Sequence, residues 1–212
     1  MIVARRMNRN PVFVDEGDSM KKAMDLLKEH EIRHLPVLRD GEKLVGIVSE
    51  RDIKQASPSP ATALEIREIY YLLDKVKVKQ IMTRRPYTVS SAAPIEEAAL
   101  IIREKKIGCL PVVDNGRLVG ILTETDIVDA FIEAMGVSGP GYRVELALPN
   151  RPGMLFEVLK LMGDFDANIV SVATAPHDDP GRKILVLRVE TRNYKLLKSA
   201  IRKSGFDLVS AD

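Results

Sequence analysis

Short apolar runs alternate with stretches of helical periodicity along the first part of the chain. Residues 35–38 and 44–48 are almost continuously apolar, which predicts two short strands covered on both faces. Before them, residues 11–14 are β-prone, and residues 23–30 place their apolar side chains at the spacing of one helical face. Ser49 then begins another helix. The pattern predicts a unit of strand, helix, strand, strand and helix.

The same unit occurs twice. Residues 7–53 align with residues 82–127, with Lys43 as a single extra residue, and 18 of the 46 aligned positions are identical. Such a repeat indicates one supersecondary unit used two times. Two units of this kind bury their apolar faces against each other, and the pairing creates two related clefts in which small ligands can bind.

A different rhythm begins after residues 136–141, which are rich in glycine and proline and predict a linker. The following segment predicts six elements in the order strand, helix, strand, strand, helix, strand, over residues 142–148, 152–165, 169–172, 183–189, 194–204 and 206–209. This βαββαβ order is the ferredoxin-like pattern. The predicted fold class is therefore α+β, with two β-α-β-β-α repeats followed by a ferredoxin-like domain.

The predicted domains are four. Residues 1–66 hold the first repeat and the start of a connector, 67–81 a connector helix, 82–138 the second repeat and 139–212 the last domain. Residues 57–60, Ser-Pro-Ser-Pro, break the helix that ends the first repeat. The connector helix carries one apolar face, formed by Ile69, Leu72, Leu73 and Val76. This face predicts packing on the repeat pair, and binding of a partner protein is the alternative.

Composition excludes several classes of function. The formal net charge is only +2 and is spread evenly, which argues against nucleic acid as a partner. The single cysteine, Cys109, excludes an intramolecular disulfide and fits a reducing compartment. No apolar run approaches the roughly 20 residues of a spanning helix, and no signal region follows Met1. We therefore expect a soluble cytoplasmic protein without membrane contact.

Each closing helix begins with a hydroxyl residue that is followed three positions later by an aspartate. These pairs are Ser49 with Asp52 and Thr123 with Asp126. One interpretation is a helix cap in which hydroxyl and carboxylate bond to the backbone reciprocally. A helix start also offers free N–H groups to an anion, and a neighbouring carboxylate can accept hydrogen bonds from a ribose.

The repeats resemble a pair of cystathionine-β-synthase (CBS) domains over about residues 7–135. The resemblance rests on His-Leu-Pro-Val at 34–37, Leu-Val-Gly-Ile at 44–47, their second copies, and the closing hydroxyl–x–x–aspartate. It implies that the hydroxyl faces phosphate or ribose, that the aspartate holds the ribose, and that backbone near His34 and Cys109 borders an adenine. AMP, ATP or S-adenosylmethionine is the implied ligand. The implied binding residues are Ser49, Arg51, Asp52, His34 and Leu35 in one copy and Thr123, Thr125, Asp126, Cys109 and Leu110 in the other.

The two copies differ in charge. Arg51 aligns with Thr125, and Arg33 aligns with Gly108, so the first cleft is expected to be the more basic and to take a phosphorylated ligand. Further arginines precede the first strand of each repeat, at positions Arg5, Arg6, Arg9, Arg84 and Arg85. They could contact phosphates or form a solvated rim.

The last domain carries a second motif, Asn150-Arg151-Pro152-Gly153, with Asn168 about fifteen residues later. One interpretation is a strand-to-helix turn with proline at the first helical position. The alternative is a ligand that approaches the backbone at Gly153 while helix N–H groups hold its carboxylate. Residues 141–212 resemble an ACT domain, which implies an amino-acid effector at a face shared by two copies, carried by Asn150, Pro152, Gly153 and Asn168, or dimerisation alone.

No constellation of catalytic or metal-ligating residues stands out. His177 lies beside Asp178 and Asp179 in a Pro-Gly segment, which predicts a hairpin loop in preference to a metal site. Cys109 has an apolar setting without an evident base, which argues against a reactive thiol. We therefore expect no catalytic residue, no metal and no catalytic cofactor.

The order CBS, CBS, ACT resembles the acetoin-utilisation protein AcuB family. The resemblance implies a regulatory ligand sensor, a homodimer that modulates an unidentified partner enzyme of acetoin- or acetate-type metabolism. The alternatives are a dimerisation scaffold with empty clefts and an enzyme in its own right.

Overall fold

The computed structural model describes residues 1–57 and 66–211. It contains two compact units, Met1–Val128 and Asp129–Asp212. The first unit holds both repeats, and the second holds the ferredoxin-like segment. The segment Pro58-Ser59-Pro60 of the predicted helix breaker lies outside the described residues, although the preceding helix does end at Ala56.

The first repeat has the predicted order of elements. They are β1 (Val14–Asp15), α1 (Met20–Glu29), β2 (His34–Arg39), β3 (Lys43–Ser49) and α2 (Glu50–Ala56). β1 runs parallel to β2, and β2 runs antiparallel to β3. Helix α1 begins at Ser19, whose side chain accepts a hydrogen bond from the Lys22 amide.

The connector consists of α3 (Ile66–Lys75) and α4 (Val78–Ile81), where the pattern predicts one continuous helix. The helices are separate because Lys77 adopts an extended backbone, with φ −91° and ψ 145°. Leu73 is buried in the core of the first repeat, whereas Leu72 is 41% exposed. Part of the connector's apolar face therefore packs on the repeats, and part of it is exposed.

The second repeat follows the first closely. Its elements are α5 (Ile95–Lys105), β5 (Cys109–Asp114), β6 (Arg117–Thr123) and α6 (Glu124–Ala134), and the short strand β4 (Thr83–Arg84) lies ahead of them. Residues 87–89 are the counterpart of the β-prone residues 11–14 in the aligned repeat and predict a strand, which in the structure is a single parallel bridge between Val89 and Val112. The hairpins correspond in register, because His34 pairs with Ser49 and Cys109 pairs with Thr123.

The segments that precede the two repeats are exchanged between them. Val3, ahead of the first repeat, is buried in the core of the second, and Asn8 forms a bridge with Ile121 of β6. Val78, ahead of the second repeat, is buried in the core of the first, and β4 pairs with β3. We call residues 3–12 and 78–87 the lead segments. Each lead segment therefore completes the sheet and core of the other repeat.

This exchange explains a glycine that recurs in both repeats, at Gly46 and Gly120. A Cβ at Gly46 would lie 2.5 Å from Met82 Sδ and 3.0 Å from the Thr83 carbonyl oxygen. A Cβ at Gly120 would lie 2.8 Å from the Asn8 carbonyl oxygen. The glycines are required because a lead segment crosses directly over them.

We expect Gly120→Ala to destabilise the protein by about 1–3 kcal/mol, because the added methyl group collides with the backbone of Asn8. Gly163→Ala is the control, since nothing lies within 4 Å of the point that its methyl group would occupy. Gly163 lies in helix α7, where alanine is favoured over glycine by up to about 1 kcal/mol. Urea unfolding of both variants measures the difference in their free energies of unfolding. Equal values would contradict the close crossing of the first lead segment over Gly120.

The second unit has the predicted βαββαβ order and belongs to the α+β class. Its elements are β7 (Tyr142–Pro149), α7 (Met154–Gly163), β8 (Asn168–Pro176), β9 (Arg182–Glu190), α8 (Tyr194–Lys203) and β10 (Asp207–Ala211). The antiparallel sheet has the order β10-β7-β9-β8. Alternate residues such as Leu146 and Leu187 pack against Val158 of α7 and Leu197 of α8.

Candidate functional site

The hydroxyl–aspartate pairs form matching helix caps. The Ser49 amide and hydroxyl both donate to Asp52 Oδ2, at 2.7 and 2.6 Å, and the Asp52 amide donates to Ser49 Oγ at 3.3 Å. The Thr123 amide and hydroxyl both donate to Asp126 Oδ2 at 2.7 Å, and the Asp126 amide donates back at 3.3 Å. The capping interpretation is therefore right for both repeats.

The caps limit what each side chain offers to a ligand. A hydroxyl has one proton, and the Ser49 hydroxyl gives it to Asp52. It can donate to a phosphate only if that bond breaks. In the described part of the chain, Oδ1 of Asp52 and of Asp126 receives no hydrogen bond. The caps thus hold each carboxylate in place with one oxygen available to accept from a ligand hydroxyl.

The first cleft is a cavity of about 780 Å³ built by both repeats. Ser49, Arg51 and Asp52 line it from the start of α2, and the second lead segment lines it with residues 83–87. Lys106 and residues 107–109 complete the wall. The volume lies within the range of about 300–1,000 Å³ that is usual for small-molecule sites.

The second cleft is a cavity of about 400 Å³ with the corresponding construction. Thr123, Thr125 and Asp126 line it from the start of α6, and the first lead segment lines it with Asn8, Pro11 and Val12. The clefts are thus equivalent in layout, since each takes its cap from one repeat and its lead segment from before the other. They differ in size.

His34 lies between the two clefts and lines both. Its ring lies on Gly108, because a Cβ there would come within 2.8 Å of His34 Cε1. Burial lowers the pKa of His34, and Arg33 lowers it further, against the opposing charges of Asp52 and Glu124. The neutral imidazole at neutral pH adds no charge to either cleft.

Cys109 lines the first cleft but is buried and free. Burial raises the pKa of the Cys109 thiol to about 12, with the charge of Glu124 as the smaller cause. The thiol is protonated at neutral pH and is therefore a poor nucleophile. This agrees with the sequence-based interpretation of Cys109 as unreactive.

Leu35 and Leu110 contribute to the clefts through their neighbours. Both side chains are fully buried, Leu35 in the core of the first repeat and Leu110 in that of the second. Neither side chain lines a cleft. Their packing fixes the strand positions of His34 and Cys109.

The arginines that precede the repeats separate into two groups. Arg84 and Arg85 line the first cleft together with Arg51, in favour of the phosphate alternative. Arg9 donates to the Ala4 carbonyl at 3.0 Å and does not line the second cleft. Tyr87 and Lys106 of the first cleft and Asn8 and Glu31 of the second were not predicted from the sequence. The sequence does contain a signal for the lead segments, since the pattern Met-x-Arg-x-Pro occurs at residues 7–11 and again at residues 82–86.

The four residues of the ACT-type motif are not brought together within one chain. Gly153 has φ +88° at the start of α7, where a Cβ would meet nothing within 4 Å, and Asn150 follows the end of β7. Asn168 pairs with Glu190 at one end of β9, whereas Pro149 pairs with Arg182 at the other end. About eight residues of strand, roughly 25 Å, separate these ends. One copy of the chain therefore does not place all four positions in a single site.

The segment around His177 forms a turn. The Asp179 amide donates to His177 Nδ1 at 2.9 Å, and the Gly181 amide donates to Asp179 Oδ1 at 2.8 Å. Among residues 1–57 and 66–211, no group of three or more His, Cys, Asp or Glu side chains is arranged to hold a metal ion. Within the same ranges, no helix has the length and apolar content needed to cross a membrane.

Comparison with known proteins agrees with this architecture. The CBS domain model matches residues 3–59 and 78–133, and the ACT domain model matches residues 142–206. A structure of a putative acetoin utilization protein (AcuB) from Vibrio cholerae is 30% identical, with a TM-score of 0.54, over 65% of this chain and 95% of that one.

Two similar structures contain adenosyl ligands. The CBS domain pair of protein MJ0100, in complex with 5′-methylthioadenosine and S-adenosyl-L-methionine, is 30% identical with a TM-score of 0.52, over 62% of this chain and 99% of that one. CBSX2 in complex with AMP is 34% identical with a TM-score of 0.50, over 62% and 96%. Because the CBS model alone matches more than half of the residues, this chain belongs to the CBS-domain family, as a tandem CBS pair followed by a C-terminal ACT domain.

Proposed function

We propose that this protein is a regulatory sensor that binds an adenosine-containing ligand in its CBS clefts. The observation that carries the proposal is the duplicated cap, which holds a carboxylate with one available oxygen on the wall of each cavity. A carboxylate in this position can accept hydrogen bonds from ribose hydroxyls. The adenosyl ligands of similar CBS pairs support the same class of ligand.

Regulation requires that a ligand distinguishes two states of the protein, because a ligand with equal affinity for both does not shift the equilibrium between them. A ligand in either cleft can distinguish two packings of the repeats, since each cleft is built from both of them. A ligand that bridges the cap of one repeat and the lead segment of the other stabilises the packing in which the two are close. In this proposal the change in packing regulates a partner enzyme. The resemblance to the AcuB family suggests an enzyme of acetoin- or acetate-type metabolism.

The ACT domain is proposed to take an amino acid at a face shared by two copies. The open surface at Gly153 and the distance from Asn150 to Asn168 support a site completed by a homodimer. Dimerisation without an effector is the alternative for this domain.

A dimerisation scaffold with empty clefts is the alternative for the whole chain. The caps are compatible with it, since Ser49 and Asp52 satisfy each other without any ligand. Under this alternative the aspartates serve only to begin α2 and α6.

Thermal unfolding with AMP, ATP, S-adenosylmethionine and NAD separates the two functions. At about 100 times its Kd, a ligand that binds only the folded state stabilises it by roughly 2.7 kcal/mol. At this chain length the expected rise in Tm is roughly 5–10 °C. Inorganic phosphate at the same concentration is the control for a general anion effect. An unchanged Tm with every adenosyl compound would leave the scaffold as the function.

A further inference from the structure

The two clefts carry opposite charges at equivalent positions. Glu31 follows α1 and Lys106 follows α5, and the two residues align in the repeat. Both have a left-handed backbone, with φ +53° for Glu31 and +52° for Lys106. Each lines the cleft whose cap belongs to the other repeat, so Lys106 faces the first cleft and Glu31 the second. The fold thus presents one structural position twice, with a cation in one cleft and an anion in the other.

The remaining charges follow the same division. Besides Lys106, the first cleft has Arg33, Arg51, Arg84 and Arg85 on its wall, against Glu50 and Asp52. Glu50 is paired with Lys54 at 2.6 Å, which offsets its charge. Besides Glu31, the second cleft has Glu124 and Asp126 on its wall, against Arg33 alone. The first cleft is therefore strongly basic, and the second is acidic.

Charge of this kind selects among ligands that share an adenosine. A 5′-phosphate or polyphosphate is attracted to the basic cleft and repelled by the acidic cleft. A ligand whose 5′ group is uncharged or positive, such as a thioether or a sulfonium, avoids this repulsion in the acidic cleft. The volumes agree, because the basic cleft, at about 780 Å³, has room for a phosphate chain and the acidic cleft, at about 400 Å³, has less.

We propose that the two clefts bind different classes of adenosyl compound. The first takes a 5′-phosphorylated nucleotide, and the second takes an adenosyl compound with an uncharged or cationic 5′ group. This assignment rests on the proposed adenosyl-binding function and makes it more specific. One chain then responds to two metabolite pools, because the two ligands occupy different sites and do not compete.

Isothermal titration of the full chain tests the assignment with ATP and S-adenosylmethionine as probes. We expect each to bind at one site per chain, and saturation with one to leave the other's binding intact. S-adenosylhomocysteine lacks the sulfur-bound methyl group of S-adenosylmethionine and therefore its sulfonium charge, so it serves as the neutral-sulfur comparison, with weaker binding expected. Mutual displacement of ATP and S-adenosylmethionine would overturn the assignment.

The equivalent positions provide a matched pair of variants. Lys106→Glu is expected to weaken ATP binding about tenfold and to leave S-adenosylmethionine within about twofold. Glu31→Lys is expected to weaken S-adenosylmethionine about tenfold and to leave ATP within the same margin. The left-handed position already carries a glutamate in one repeat and a lysine in the other. Glu29→Lys, at an exposed position outside both clefts, controls for the change in net charge that Glu31→Lys causes.

The outcomes separate this assignment from the proposed function. Absence of binding by every adenosyl compound would remove both. Binding in which Lys106→Glu and Glu31→Lys affect ATP and S-adenosylmethionine equally would remove the assignment and leave the adenosyl sensor. Loss of ATP affinity in Lys106→Glu alone, with retained S-adenosylmethionine affinity, supports it.

Discussion

Leu35→Ala is expected to lower the free energy of unfolding by about 3 kcal/mol. The Leu35 side chain is 0% exposed and packs in the core of the first repeat, so its removal loses burial and leaves a cavity. For a chain of this length the loss corresponds to a fall in Tm of roughly 6–12 °C. Leu110→Ala, at the equivalent position of the second repeat, is expected to have an effect of similar size.

The control is Leu100→Ala, since Leu100 is 51% exposed on α5 and its truncation should change stability little. The same variants test how the clefts are built. Because the Leu35 side chain does not line a cleft, ligand affinity of the folded Leu35→Ala protein should stay close to that of the wild type. A large loss of affinity at a temperature where the variant is folded would mean that Leu35 acts on the ligand, by direct contact or through the position of His34.

Asp52→Ala is expected to weaken ligand binding in the first cleft by about ten- to hundredfold. Loss of a hydrogen bond to a charged group costs roughly 1.5–3 kcal/mol, and each 1.4 kcal/mol is tenfold in affinity. The substitution also removes the acceptor of the Ser49 amide, so the start of α2 is weakened. Isothermal titration with the ligand identified by the nucleotide panel measures the affinity.

Two variants separate ligand contact from helix capping. Ser49→Ala removes the hydroxyl of the cap and leaves the carboxylate, so it should lower stability by about 1 kcal/mol and affinity by much less than Asp52→Ala. Asp126→Ala should affect the second cleft and spare the first. If neither aspartate variant changes binding at either cleft, the carboxylates are capping residues only.

Much of the fold could be predicted because its signals are local. Periodicity in residues 23–30 and the apolar run at 44–48 depend on neighbours in the chain, and the structure has α1 and β3 there. The Ser49–Asp52 cap is local for the same reason. The strand predicted over 87–89 was too long, because only Val89 forms a bridge there, with Val112. Such pairing depends on tertiary structure, which short-range pattern does not report.

Prediction of the cleft residues from the sequence is limited in the same way. The cap residues and the greater basicity of the first cleft follow from the alignment of the repeats. Lys106 and Glu31 were missed because each lies in the sequence of one repeat and lines the cleft of the other. Their equivalence is visible in the alignment, but the side of the molecule on which they act depends on how the repeats pair. The sequence pointed to Arg84, Arg85 and Arg9 alike as possible phosphate contacts. Only the structure shows that Arg84 and Arg85 line the first cleft and that Arg9 does not line the second.

The exchanged lead segments have a consequence for how the chain folds during synthesis. Val3 is made before the first repeat, yet its place is in the core of the second repeat, and Asn8 bridges to Ile121. The first lead segment must therefore wait for β6, which is made after most of the CBS pair. Contacts this distant in sequence slow folding. The first repeat also lacks Val78 and β4 until the connector has emerged, so neither half can reach its final form by itself.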